Sequence, residues 1–300
     1  MASDPGKPRI GLALGSGSAR GWAHIGVIRA LEKAGVRPDL VCGTSIGALV
    51  GAAYAMGELD RLEQFVLGLR VADVVKLMDV GLAGGVLKGD RLMEHFRRGV
   101  ADRPIEKLPM PFAAVATALR TGAEIWLRRG STLDAVRASI AMPGLFTPVR
   151  WQGSLLVDGG LVNPVPVSLA RAMGADLVIA VDLGSDVLGR RFRAPAAPEA
   201  PEHGVQKWMR QLQRNLSALA ADKSSAEPAM PSIADVLAAS MDIVQVRIAR
   251  SRMAGEPAEV VVAPRLARLR LLDFHLAKEA IDEGRRAVER VAHNLAVLDE

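Results

Sequence analysis

A serine held between two glycines is the first residue in this chain placed to do covalent chemistry. Gly43-Thr-Ser-Ile-Gly47 follows the apolar run 40–42 and opens a second apolar stretch, 46–56. The serine therefore falls in a strand-to-helix turn, the context that a Gly-x-Ser-x-Gly elbow requires. In such a turn the glycines let the backbone pack closely, and the helix N-terminus favours an anionic intermediate. A second small-residue loop, Gly15-Ser-Gly-Ser-Ala-Arg-Gly21, also lies between an apolar strand and a helix. Exposed amides in a loop of that kind can hold a tetrahedral oxyanion. A third segment, Asp158-Gly-Gly160, ends the apolar run 154–157. A carboxylate at a strand end, with glycines permitting close approach, can accept a serine proton directly, and partial burial strengthens it as a base.

Rival chemistries fit less well. A triad would supply histidine, and the chain has His24, His95, His203, His275 and His293, none of them in a turn after an apolar strand. His24 is the one placed near the crevice, and packing or capping is the simpler role for it. The spacing Gly15-x-Gly17-x-x-x-Gly21 departs from a dinucleotide fingerprint, and Asp39 begins the second strand instead of ending it. The α/β-hydrolase order fails as well, because only one strand–helix pair precedes Ser45. No Gly-Lys-Ser/Thr and no His/Cys cluster at ligand spacing occurs, so neither a cofactor nor a metal is expected.

The elements that must position these residues alternate. A strand at Ile10–Leu14, a helix over 21–34, a strand at 40–42 and a helix at Ile46–Met56 read as a βαβ unit of an α/β sheet. Both small-residue loops then emerge at the C-terminal edge of the strands, where ligands bind in such sheets. Residues 58–110 read as mostly helical, with a Gly-rich break at 81–85 that suits a lid or cap. The sheet resumes at 112–117 and 124–128, and a helix over 132–142 stops at Pro143-Gly144. Val149–Trp151 and 154–157 flank Gln152-Gly153 as a hairpin, and Leu177–Val181 is a further apolar strand. Prolines mark 190–204 as a loop, 205–221 reads as a basic amphipathic helix with Trp208, and 233–253 and 274–298 as long helices around a strand at 259–262. We expect a core at 9–182, a Pro/Ala-rich loop at 183–204 and a mainly helical part at 205–300 packed on that core.

Composition narrows the setting. Half of the 300 residues are hydrophobic and 24% are charged, which excludes disorder and disulfide-stapled scaffolds. Aromatic residues are 4% and the basic residues behind the net charge of +5 are scattered, so nucleic acid is not an expected partner. The lone cysteine, Cys42, fits a reducing compartment, and the N-terminus carries no apolar signal region. Eighteen residues, 40–57, pass without a charge, but a buried strand, sharp turn and buried helix explain that run better than a membrane span does. The expectation is a soluble cytoplasmic protein without a transmembrane helix. Lys207, Arg210 and Arg214 beside Trp208 would suit peripheral contact with the inner face of a membrane.

The three segments in this order resemble the patatin-like phospholipase family. The resemblance continues through Gly21-Trp-Ala-His-Ile-Gly-Val-Ile-Arg-Ala-Leu31 and Ala138-Ser-Ile-Ala-Met-Pro-Gly-Leu-Phe-Thr-Pro148, and so spans roughly residues 9 to 182. It implies a three-layer architecture with a largely parallel central sheet between helices, here with a helical C-terminal elaboration. It further implies hydrolysis of lipid acyl esters by a serine esterase, through a Ser–Asp dyad without histidine and an acyl-enzyme. On that likeness Ser45 is the nucleophile and Asp158 its base. Gly15, Ser16, Gly17 and Ser18 supply the oxyanion loop, and Arg20 holds it. Serines stand at 16 and 18 where the family has glycines, which narrows the loop's dihedral freedom but leaves its amides in place. A general carboxylesterase or thioesterase acting on soluble esters, and a non-catalytic regulator that keeps the fold, are the competing readings. The sequence leaves headgroup, chain-length and positional preference and oligomeric state open.

Overall fold

The computed structural model describes residues 7–77, 101–187 and 233–298. The Gly-rich break at 81–85, the loop at 190–204 and the basic helix at 205–221 lie outside the described residues. Within them, eight strands form one sheet: β1 (Ile10–Leu14), β2 (Leu40–Thr44), β3 (Phe112–Ala118), β4 (Glu124–Leu127), β5 (Val149–Trp151), β6 (Ser154–Asp158), β7 (Leu177–Val181) and β8 (Val260–Val262). β3, β2, β1, β7 and β8 lie side by side and parallel, while β4, β5 and β6 add antiparallel pairings around β3.

The apolar runs at β1, β2 and β3 are buried along their whole length, as strands covered by helices on both faces must be. Alternate residues serve two separate cores. Leu12, Leu14, Val41, Ala114 and Ile179 face one way, toward α1 (Ala23–Lys33), α2 (Ile46–Met56) and α8 (Ala277–Arg290). Ala13, Cys42, Ala113, Val115 and Val178 face the other, toward α6 (Val167–Ala172) and Ala249 of α7 (Ile233–Gly255). The result is the three-layer α/β arrangement. The uncharged run at 40–57 divides into β2 and α2, and among the described residues no helix is long and apolar enough to cross a membrane.

Several elements differ from expectation at their ends, each for a local reason. The first helix begins as a 3-10 turn at Ser18–Trp22 and becomes α-helical at Ala23, because the Arg20 amide bonds back to Gly17 O. The helix expected over 132–142 is α5 (Thr132–Ser139), and its last residue turns its hydroxyl to β3. The long terminal helix is α8 with a 3-10 turn on either side, at Phe274–Leu276 and Ala292–Leu298. The β5–β6 hairpin closes over Gln152 (φ 45°) and Gly153 (φ 82°), the paired positive φ values of a type I′ turn. Two shorter helices, α3 (Leu59–Leu67) and α4 (Val71–Leu77), follow α2.

The C-terminal region is built into the sheet and its helical layer. β8 extends the parallel strands beyond β7, with the Asp182 amide bonding Val262 O at 3.0 Å. α8 meets α1 with backbone against backbone: a Cβ on Gly26 would stand 1.9 Å from Ile281 O, and one on Gly284 would stand 2.1 Å from Ala23 O. Neither position has room for a side chain unless the helices separate. We therefore expect Gly284→Ala to lower the free energy of unfolding by about 1–3 kcal/mol in a urea titration. An unchanged midpoint and slope would mean that α1 and α8 do not cross at contact distance.

Candidate active site

The pairing of β3 places two strand ends together. Ala114 and Val115 pair with β4 on one edge and with Gly43 and Thr44 of β2 on the other. Ala116 and Thr117 pair with β4 as well, and with Asp158 and Val157 of β6. A strand residue has one partner per edge, so β2 and β6 occupy the same edge of β3 in succession. β2 runs parallel to β3 and β6 antiparallel to it, so they meet head to head, C-terminus to C-terminus. Ser45 is the residue after one strand and Asp158 the last residue of the other.

At that junction the Ser45 hydroxyl donates to Asp158 Oδ2 across 2.6 Å. Ser45 has φ 56° and ψ −124°, a conformation that costs a non-glycine residue about 1–3 kcal/mol and projects its hydroxyl out of the turn. Close packing holds it there: a Cβ on Gly43 would lie 2.3 Å from the Gly47 backbone, and one on Gly47 would lie 2.2 Å from Leu14 O. The Ser45 amide donates to Ser139 Oγ at 2.9 Å, and the Ser139 hydroxyl in turn donates to Val115 O at 2.6 Å. Asp158 is fixed on every side. Its amide donates to Ala141 O at 2.9 Å, its carbonyl accepts from the Thr117 hydroxyl at 2.7 Å, and its Oδ1 accepts from the Gly160 amide at 2.7 Å.

Ser45 is 4% and Asp158 1% exposed. Burial pushes the Asp158 carboxyl up from the ordinary 3.8 to about 6, against the hydrogen bonds from Ser45 and Gly160 that pull it down. His24 is also buried, but its Nε2–H donates to Gly15 O at 2.7 Å while burial drives its pKa down to about 4. It is a neutral ring that braces the loop. Among the described residues no histidine hydrogen-bonds to Ser45 or Asp158; His275 stands in the 3-10 turn before α8 and His293 in the one after it. His95 and His203 lie outside the described residues.

The Gly15–Ser18 loop divides its amides. Gly15 N–H donates to Val181 O at 3.0 Å and Ser16 N–H to Pro164 O at 2.8 Å. The amides of Gly17 and Ser18 have no hydrogen-bond partner among the described residues. Ser18 holds φ 52° with its hydroxyl on Leu271 O at 2.6 Å. Arg20 does not face the carboxylate: its Nε donates to Gly17 O at 3.2 Å and its Nη2 to Asp242 Oδ1 at 2.7 Å in a buried ion pair. Among the described residues no group of three or more His, Cys, Asp or Glu side chains could hold a metal ion.

Sequence reasoning singled out the serine, the aspartate and the loop. It missed Ser139 and Thr117, whose hydroxyls fix the two strand ends, and it missed Asp242 and Gln245 of α7. Ser139 lies inside the quoted Ala138-Ser-Ile-Ala-Met-Pro string, and a serine closing a helix just before that run was the available signal. Asp242 and Gln245 carried none, because an amphipathic helix has polar residues at many positions.

Comparison with known proteins gives the site a context. A family model described as patatin-like phospholipase matches residues 12–171. An uncharacterized NTE family protein of Mycobacterium tuberculosis is 32% identical over 343 aligned positions, covering 98% of this chain and 94% of that protein. Human patatin-like phospholipase domain-containing protein 6 is 39% identical over 188 positions, which span 59% of this chain and 13% of the human protein. The crystal structure of VipD from Legionella pneumophila aligns over 99% of this chain and 67% of its own, at 14% identity and a TM-score of 0.41.

The raised carboxyl makes a prediction about stability. Between pH 3.8 and about 6 folded Asp158 keeps a proton that the unfolded chain has released, so the native state loses stability as pH rises through that window. Asp158→Asn cannot ionise and escapes the loss. Its unfolding free energy should exceed wild type at pH 8, by on the order of 2–3 kcal/mol, with the gap narrowing toward pH 4. Denaturant titrations at the two pH values test this, and a gap that does not change with pH would contradict a raised carboxyl.

Proposed function

The chain belongs to the patatin-like phospholipase family, hydrolases acting on lipid esters, and we propose that it cleaves lipid acyl esters of the phospholipid or lysophospholipid class through a Ser45–Asp158 dyad. The observation that carries this reading is the 2.6 Å hydrogen bond from the Ser45 hydroxyl to a buried carboxylate that, among the described residues, has no cation in hydrogen-bond contact.

The chemistry follows from the geometry. Ionised Asp158 takes the Ser45 proton as the hydroxyl oxygen attacks the ester carbonyl. A carboxylate near 6 is a stronger base than one at 3.8 and is still ionised at neutral pH. The tetrahedral oxyanion is received by the amides of Gly17 and Ser18, the two in the loop with no other partner among the described residues. Loss of one such donor typically costs ~10²–10³ in rate. Asp158 returns the proton to the leaving alcohol, leaving an acyl-Ser45 ester. It then draws a proton from water, whose oxygen attacks the acyl carbon; the acyl–Oγ bond breaks, Asp158 returns the proton to Ser45 Oγ, and the acid leaves. Arg20 holds Gly17 O and so aims the loop without touching the reacting atoms.

Hydrolysis of a p-nitrophenyl ester series, repeated on phospholipid vesicles, tests the assignment. Ser45→Ala and Asp158→Asn should each lose roughly 10³-fold or more in kcat while circular dichroism stays native. Wild-type kcat/KM should fall about tenfold per pH unit below about pH 6, as Asp158 takes up its proton. Turnover that survives Ser45→Ala would remove the nucleophile from the scheme. A folded wild type that neither turns over these substrates nor reacts with a fluorophosphonate would favour a non-catalytic role.

A further inference from the structure

Helix α7 stands beyond the residues matched by the family model, yet it reaches both loops of the site. The Ser16 hydroxyl donates to Gln245 Oε1 at 2.9 Å. The same carboxamide lies against the loop after Asp158: a Cβ on Gly160 would stand 2.7 Å from Gln245 Nε2 and 3.0 Å from Asp158 Oδ1. Gly160 is the residue whose amide holds Asp158 Oδ1. One turn earlier on the same helix, Asp242 takes the buried guanidinium of Arg20, whose Nε secures Gly17 O. The i, i+3 spacing puts Asp242 and Gln245 on the face that also buries Val246 and Ala249.

We propose that Gln245 is a positioning residue that pins the Gly15–Ser18 loop to the Asp158–Gly160 loop, so that α7 sets the distance between oxyanion donors and base. The inference rests on the Ser45–Asp158 reading. Donors must lie within about 3 Å of the transition-state oxygen, while Asp158 must stay in hydrogen-bond contact with Ser45. A relative slip of about 1 Å between the loops costs on the order of 10²-fold in rate. Backbone contact supplies one tie, Ser16 N–H to Pro164 O, and Gln245 supplies a second from outside the sheet. Glutamine suits the place because it is long, planar and neutral. Alanine leaves Ser16 unpaired, and glutamate would set a second carboxylate beside Asp158.

Three variants test this with readouts that general destabilisation would not reproduce. Gln245→Ala should lower kcat roughly tenfold with KM little changed. Ser16→Ala should lose a similar factor, and the double variant should be no worse than the poorer single, because both changes remove one contact. Gln245→Glu should move the acid limb of kcat/KM upward by about one pH unit, since a like charge disfavours ionised Asp158. Hydrogen–deuterium exchange in Gln245→Ala should quicken in both segments 15–21 and 158–163. Wild-type kcat in Gln245→Ala, multiplicative losses in the double variant, or an unmoved acid limb in Gln245→Glu would each overturn the proposal. A wild type unreactive toward a fluorophosphonate would instead undo the Ser45–Asp158 reading, and exchange in the two segments would still decide whether Gln245 pins them.

Discussion

Two strands share one edge of β3, and everything at the site depends on where one stops and the other begins. β2 gives up that edge at Thr44 and β6 takes it at Asp158. The meeting point is fixed by backbone hydrogen bonds, which tolerate no gradual sliding, because a slip of one residue would turn Asp158 to the opposite face of the sheet. Ser139 and Thr117 then fasten the two ends to their neighbours through hydroxyls that reach backbone atoms. The strained backbone at Ser45 persists because Gly43, Gly47 and Leu14 leave it no other path.

Charge is distributed so that the buried carboxylate keeps an appetite for protons. The Arg20 guanidinium is committed to Asp242 and to Gly17 O, so it stabilises the loop, and among the described residues no cation hydrogen-bonds to Asp158. His24 is neutral for the same reason that Asp158 is basic: both are fully desolvated, which opposes whichever form is charged. A histidine in that environment sheds its proton, and a carboxylate holds one more tightly.

Much of this was legible in the chain. Ile10–Leu14 and Ile46–Met56 have the bounds that their apolar patterns gave, and Ser45 and Asp158 were recognisable because small residues flank a polar one at a strand end. The α/β class followed from strands and helices in alternation, and the three layers from the family resemblance. The reason Ser45 and Asp158 touch was not legible, since it lies in the register of β3 with three partners far apart in sequence. Nor could periodicity show that 259–262 would join the parallel sheet as β8, or that the 274–298 stretch would tighten into 3-10 turns at each end. Those outcomes are decided by what packs against them. Gln245 and Asp242 had nothing around them in sequence to mark them, because their partners are more than two hundred residues away.

The crossing of α1 and α8 has a bearing on how such a molecule is made. α1 is completed by α8, which lies about 250 residues further along the chain, and Leu271 receives both the Ala19 amide and the Ser18 hydroxyl. A ribosome delivers Ser45 early and these partners late. Until Leu271 is made the loop has only its nearer backbone partners, Val181 O and Pro164 O, and contacts of such long sequence separation are the slow ones to close. The loop's contacts at Leu271 therefore close only after the chain has been made well past the elbow serine.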